Sequence, residues 1–367
     1  MSLFGKSDNI QNNQSTESFV GIDIGTYAIK VLQIRKTADQ IHLETYGELE
    51  MAAYDSLPLG SVSNLGEQKV IQALRDLFTA AKITARNVIF GISMSSCFIS
   101  SINIPKVSDQ ELQSLIPIEA RKYLPIPVSE VQINYWRAAI NNQSNNPNNN
   151  INNTEDIIII AAVKNDTLDM YKRYATALGL ENISLEIESL AGARIAGKGF
   201  DRNQALLYVD IGGRISSVTF IHQGLVKSTN IIQHGSYRNT DQISKVLGIA
   251  MDIAEKTKRL FGYFGDDSSP HLREVMGLAS YPLFDEISHL SLKYERQYNI
   301  NIDKIILSGG GSLTLGIQDV ASEFLKKEII LADPLKDLIL PENVKLVANT
   351  MAQKYTVAAG LAIKNIL

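Results

Sequence analysis

Phe19-Val20-Gly21-Ile22-Asp23-Ile24-Gly25-Thr26-Tyr27-Ala28-Ile29-Lys30 begins as a short apolar run, stops at an Asp-Ile-Gly turn and starts again. A run of that length closed by glycine reads as a buried strand. The glycine lets backbone N–H groups turn toward an anion, and the Thr26 hydroxyl adds a donor. Lys30, seven residues after Asp23, points back from the following strand toward the same anion. Taken alone, the stretch is also compatible with a plain hairpin that buries an aspartate. A second stretch, Leu206-Leu207-Tyr208-Val209-Asp210-Ile211-Gly212-Gly213-Arg214-Ile215-Ser216, has the same physical character 187 residues later (210 − 23). Strands are predicted after both turns, over 28–35 and 40–49 in the first case and over 216–221 and 225–232 in the second. A strand-meander-then-helix unit used twice, about half a chain apart, predicts two duplicated α/β lobes that face one another.

Composition narrows the functions such a pair of lobes can have. The 367 residues allow two packed domains. Hydrophobic residues at 45% and charged residues at 20% are the balance of an ordinary soluble globular chain. A net charge of -4, from 35 basic and 39 acidic residues, argues against a sequence-independent nucleic-acid binder. The single cysteine, Cys97, excludes an intrachain disulfide and points to a reducing compartment. The histidines, at 42, 222, 234, 271 and 289, lack the spacing of metal ligands. No apolar run approaches the roughly 20 residues that span a bilayer, so direct membrane insertion is not expected.

Along the chain, residues 1–18 read as a disordered polar tail and 19–83 as the first part of lobe I. Val70, Ile71, Leu74, Leu77, Phe78 and Ala81 recur at helical period, and a strand follows over 87–93. A separate inserted unit is expected over 84–181. Within it a helix over 109–123 has Ser108 as N-cap and Glu111 at the third position, with Pro117 predicting a kink or break. Strands over 131–139 and 156–163 flank an Asn-rich loop, 141–153. The remaining divisions are a connecting helix over 182–204, lobe II over 205–350 and a C-terminal connecting helix over 351–367 that returns to lobe I.

Two carboxylates, Asp23 and Asp210, at the ends of opposing strands and beside glycine turns suit phosphates bridged by a hydrated magnesium ion. Magnesium keeps several waters and prefers one or two carboxylates plus phosphate oxygens. Ser308-Gly309-Gly310-Gly311-Ser312 lies between a buried strand, 304–307, and an apparent helix, 314–326. Its three glycines permit close approach to a flat ring or ribose, or simply make a flexible connection. Glu255 and Lys258 can offer a carboxylate and a cation to a nucleoside, or form a solvated i,i+3 pair. Neither a Walker A sequence nor a Gly-x-Gly-x-x-Gly helix start is present, so the other common nucleotide folds are not indicated.

Together these pieces resemble the actin, heat-shock chaperone and sugar kinase superfamily. Asp23 to Lys30 is similar to its first phosphate loop, Asp210 to Ser216 to its second, and Leu307 to Ser312 to its adenosine motif. Glu188 with Ala191 and Ala193 resembles the first connecting helix, and Ala358 to Lys364 the second. Within the superfamily the chain resembles the PilM family of type IV pilus assembly proteins, relatives of the FtsA cell-division proteins. The segment 107–127, ending Tyr123-Leu124-Pro125-Ile126-Pro127, carries that likeness. The resemblance implies an actin-like ATPase fold with an FtsA-like IC subdomain, and ATP or ADP with Mg2+ as ligand. It gives Asp23 and Asp210 to the metal through water. Gly25, Thr26, Tyr27, Lys30, Gly212, Gly213 and Arg214 fall to the phosphates, and Glu255, Lys258, Gly309, Gly310, Gly311 and Ser312 to the nucleoside. Glu188 is the residue to orient a water, although a serine follows it where chaperones have proline. Arg214 stands where active relatives often have glycine, so nucleotide binding with weak or absent turnover is expected. The implied setting is cytoplasmic, peripheral to the inner membrane through partners. Those partners are the cytoplasmic amino-terminal peptide of the membrane protein PilN, in a groove bordered by subdomains IA and IC, and other pilus platform proteins, with self-association a further option. A division filament protein and a sugar or small-molecule kinase are the alternative functions of the same fold.

Overall fold

The computed structural model describes residues 17–138, 155–265 and 271–366. The expected tail, but for 17 and 18, and the Asn-rich loop 141–153 lie outside the described residues.

β1 (Glu17–Ile24), β2 (Ala28–Lys36) and β3 (Ile41–Glu50) form an antiparallel meander, and β4 (Asn87–Ile92) and β8 (Asn182–Ile187) add parallel strands in the order β3-β2-β1-β4-β8. β9 (Ala205–Ile211), β10 (Ser216–His222), β11 (Leu225–Ile232), β12 (Lys304–Ser308) and β13 (Glu328–Leu331) repeat that plan in the order β11-β10-β9-β12-β13. The duplication expected from the two Asp-Ile-Gly turns is therefore present in strand order and direction.

Both faces of the first sheet are covered, which is why its strands read as continuous apolar runs. Val20 and Ile22 of β1 pack with Leu74 and Leu77 of α1 (Glu67–Ala80), the helix placed by its 3.6-residue pattern, and with Tyr171 of α3 (Asn165–Ala177). The alternate residue Phe19 packs on the other face with Leu361 of α11 (Thr356–Ala362), which follows the one-turn helices α9 (Glu342–Lys345) and α10 (Ala348–Met351). Gly21 has no side chain because the α11 backbone lies against it: a Cβ there would strike the Ala358 carbonyl oxygen. α4 (Glu188–Ala196) crosses α11 just as closely and joins the lobes, its Ala193 and Ala196 packing with Leu206 and Tyr208 of β9. On the far side of the second sheet lie α5 (Tyr237–Leu247), α6 (Met251–Phe261), α7 (Leu272–Tyr298) and α8 (Ile317–Leu325).

The inserted unit is a three-stranded antiparallel sheet, β5 (Cys97–Pro105), β7 (Glu155–Lys164) and β6 (Val131–Arg137) in the order β5-β7-β6, with α2 (Asp109–Ala120) packed on it. The expected limits of 84 and 181 are too wide. β4 pairs with β1 and α3 packs with α1, so both belong to lobe I. Likewise 182–204 is not all helix, since 182–187 is strand β8. The Ser108–Glu111 capping box forms, but Pro117 sits inside an unbroken α2. The Gln113 carbonyl that Pro117 cannot serve lies on the side of α2 that lines an open groove. The helix expected from 314 begins only at Ile317, because Gly316 takes a left-handed conformation (φ 77°) after a 3-10 turn over Gly310–Leu313.

Candidate functional site

The two turns are built alike. Gly25 N–H donates to the Ala28 carbonyl at 3.1 Å, and Gly212 N–H donates to the Ile215 carbonyl at 3.1 Å. Strand register then sets Lys30 directly opposite Asp23, and Ser217 directly opposite Asp210. The spacing is the same on both sides (30 − 23 = 217 − 210 = 7), yet one lobe contributes an ammonium and the other a hydroxyl.

These residues line one cavity between the lobes: Asp23, Thr26, Lys30, Glu188, Asp210 and Ser217, with Gly25, Gly212, Gly213 and Arg214 at its edge. The Lys30 ammonium lies 3.5 Å from Asp23. Burial works to lower the Lys30 pKa, but Asp23, Glu48 and Asp210 raise it overall, so it stays charged. Negative charge is still in excess. Burial, and then Asp23, push Asp210 up to about 6. Burial, with Asp23 next, pushes Glu188 up to about 8, although its carboxylate accepts the Met94 N–H at 2.7 Å.

Three features of the cavity fit a polyanion carried with a divalent cation. The Ser217 hydroxyl is buried and lacks a hydrogen-bond partner among the described residues, as does Gln353 Oε1, and both residues line the cavity. Buried polar atoms are rarely left unpaired, and of the five such side-chain atoms among the described residues these are the two in residues that line the cavity, where a ligand or water can complete them. Gly309 (φ 81°) holds the chain where any Cβ would collide with Asp210 Oδ1 and the Ile211 carbonyl. The unbalanced carboxylates supply the charge that a hydrated cation would neutralise. Among the described residues, no group of three His, Cys, Asp or Glu side chains could hold a metal ion directly.

A second cavity continues from the first and shares Tyr27, Lys30, Gly212, Gly213, Gly310 and Lys354 with it. Its far end is lined by Glu255, Lys258 and Thr314. Glu255 and Lys258 are no solvated pair: they meet at 2.7 Å with both side chains buried, and Thr240 of α5 hydrogen-bonds each. Burial opposes ionisation of Glu255, but Lys258, Thr240 and Arg259 together hold its pKa below the usual range. Gly311 and Ser312 do not line either cavity. Gly311 packs against Ile211, and the Ser312 hydroxyl donates to the Gly309 carbonyl, so both shape the loop from behind.

Sequence reasoning missed Ser217 and Gln353, and with them an interlobe clasp. Arg259 of lobe II donates to Glu255 at 2.8 Å, to Glu50 of lobe I at 3.0 Å and to the Tyr27 hydroxyl. The repeat of the seven-residue spacing was the one signal that pointed to Ser217. A groove was expected between subdomains IA and IC without any residues named for it, and a groove of about 1290 Å3 lies beside the inserted unit. It runs between the inserted unit, α4 and the β10–β11 hairpin of lobe II, and includes Ile116, Trp136, Leu190, Arg194, Ile221 and Val226. β6 on its wall is an outer strand of its sheet.

Two duplicated lobes around a cleft of paired phosphate-type turns define the actin-like ATPase fold. Solved structures bear this out. The chain superposes on a PilM–PilN type IV pilus biogenesis complex with a TM-score of 0.79, at 18% identity over 97% of this chain and 100% of that one. Against MreB5 of Spiroplasma citri bound to AMPPNP the TM-score is 0.52, at 16% identity over 96% and 97% of the two chains. The cell division protein FtsA of Bacillus subtilis (strain 168) is 20% identical over 357 residues, 87% of this chain and 79% of FtsA. The profile of the type IV pilus assembly protein PilM family matches residues 21–366, and the chain belongs to that family.

Proposed function

We propose that this protein binds ATP or ADP with Mg2+ between its lobes and works as a nucleotide-dependent adaptor of the pilus assembly platform. The observation that carries the reading is the pair of unpartnered polar atoms, Ser217 Oγ and Gln353 Oε1, in a cavity flanked by two matching glycine turns. In this reading Lys30, Thr26, Ser217 and the turn glycines hold phosphates. Asp23 and Asp210 hold the magnesium through water, and Glu255 and Lys258 face the nucleoside. Bound magnesium supplies charge neutralisation between phosphate oxygens. Asp210→Ala is expected to weaken ATP binding roughly tenfold or more, as loss of a metal-orienting group does. Isothermal titration with magnesium present checks this, and unchanged affinity would show that the second turn has been misassigned.

For the partner, the reading is the cytoplasmic amino-terminal peptide of PilN in the groove beside α4, with the protein peripheral to the inner membrane. Support comes from the groove's size, from the outer strand β6 on its wall and from the PilN in the complex that superposes best of those reported above. No described helix is long and apolar enough to cross a membrane. An extended segment can add to a free strand edge. Trp136, the chain's single tryptophan, lines the groove and donates to the Val226 carbonyl at 3.2 Å. Titrating a synthetic PilN amino-terminal peptide is therefore expected to give a saturable change in tryptophan emission. Binding by calorimetry with no change in emission would move the peptide elsewhere, and no binding at all would sink the partner assignment.

A further inference from the structure

The inserted unit meets the nucleotide cavity at one place. β4 ends at Ile92 and β5, the first strand of the insert, begins at Cys97. The four residues between them, Ser93-Met94-Ser95-Ser96, hold a 3-10 turn in which the Ser93 hydroxyl accepts the Ser95 N–H. Ser93 and Ser95 line the cavity together with Lys30, Glu188 and Asp210. Between them, Met94 N–H donates to the Glu188 carboxylate at 2.7 Å. The same short connection thus faces the cavity on one side and starts the strand that carries the insert on the other.

The position of the serines along the cleft fixes what they can meet. Glu255 and Lys258 line only the second cavity, Ser93 and Ser95 only the first, and Lys30, Gly212, Gly213 and Gly310 line both. A nucleotide whose nucleoside lies by Glu255 passes its phosphates between the glycine turns into the cavity that Ser93 and Ser95 line. The two hydroxyls lie 3.0 Å apart and hydrogen-bond each other, and among the described residues no other side-chain partner is recorded for them. Each hydroxyl can also donate to an anion, and hydrogen bonds to charged acceptors are the stronger kind.

We infer that the Ser93–Ser96 turn is a sensor of the terminal phosphate: the Ser93 and Ser95 hydroxyls bind the distal phosphate of a nucleoside triphosphate, and the turn passes that occupancy to the inserted unit. This rests on the nucleotide reading above and goes beyond it by naming the residues that tell a triphosphate from a diphosphate. A diphosphate lacks that distal phosphate and leaves the two hydroxyls bonded to each other. α4 reinforces the link, because Glu188 at its start holds the turn while Leu190 and Arg194 of the same helix line the groove.

The test compares the full-length protein with the double variant Ser93→Ala/Ser95→Ala, using AMPPNP and ADP with magnesium. Calorimetry should give wild-type protein a preference for the triphosphate. The double variant should lose about tenfold in triphosphate affinity and keep its ADP affinity, which also reports that it is folded. Hydrogen exchange supplies the second readout: amides of the 93–97 segment should be more protected with AMPPNP than with ADP in wild type, and equally protected in the variant. A variant that keeps the triphosphate preference, or loses ADP affinity to the same extent, overturns the sensor. Wild-type protein that binds both nucleotides equally overturns it too. Wild-type protein that binds neither overturns the underlying nucleotide reading as well.

Discussion

Gly310→Leu is expected to abolish nucleotide binding while leaving the fold intact. Gly310 borders both cavities, and a Cβ built on it meets nothing within 4 Å. Its φ is not in the left-handed region, so a side chain adds no backbone strain. An isobutyl group has only the shared passage between the cavities to occupy, where a nucleotide would join phosphate to nucleoside. We expect a loss of at least about a hundredfold in affinity, on the order of 2.7 kcal/mol. The thermal midpoint should stay within roughly 2 °C of wild type, as for surface substitutions. Unchanged affinity for ATP and ADP would mean that nucleotide does not run through this passage. The neighbouring Gly309 gives the opposite result, because a Cβ there collides with Asp210 and Ile211 and the loop itself must shift.

Gly360→Val should cause the larger loss of stability. Gly360 is fully within α11 at its crossing with α4, and a Cβ there would overlap the Ala191 carbonyl oxygen and carbon. The obstacle is helix backbone, which cannot swing aside as a side-chain end can. Arg194 donates to the Gly360 carbonyl at 2.6 Å and also pairs with Glu186, so separating the helices breaks polar contacts as well. Overpacking of this kind costs about 3 kcal/mol or more. For lobes of this size that lowers the thermal midpoint by roughly 6 °C or more. Gly66→Ala, open to solvent at the N-cap of α1, is the control and should cost no more than about 1 kcal/mol, alanine being a poorer cap than glycine. Equal midpoints for the two variants would disprove the close crossing.

The lobes were legible in the sequence because each carries the same strand, Asp-Ile-Gly turn and meander, and buried strands closed by glycine have few other readings. The convergence of Asp23, Lys30 and Asp210 followed from that duplication, whereas Glu188 came only from the resemblance of its helix to a connecting helix of the superfamily. Glu255 and Lys258 were ambiguous for a physical reason: an i,i+3 spacing is the same on a wet or a buried helix face. Thr240, on a different helix, is part of what decides it. The residues of the groove were illegible because α2, β6 and α4 come from distant parts of the chain and none has a motif of its own. Pro117 does not break α2 because proline removes one amide and one carbonyl partner, a local loss beside an open groove.

The contact between Gly21 and α11 also bears on how the protein is made. Residues 21 and 358 are 337 positions apart (358 − 21), and the core on that face of lobe I unites Phe19, Leu32 and Ile89 with Ala358, Leu361 and Ala362. The core on the helix-covered face of the second sheet, in contrast, draws on residues between Ala205 and Leu331, and the other face packs with Ala193 and Ala196 of α4, made before it. Domains generally fold as units during synthesis, beginning from the amino terminus. Here one face of the lobe translated first waits for α11 to leave the ribosome, and the residues that cover the second sheet have all been made before it. Until then one face of the first sheet stays bare, and a nascent chain that stalls before α11 presents that face to chaperones.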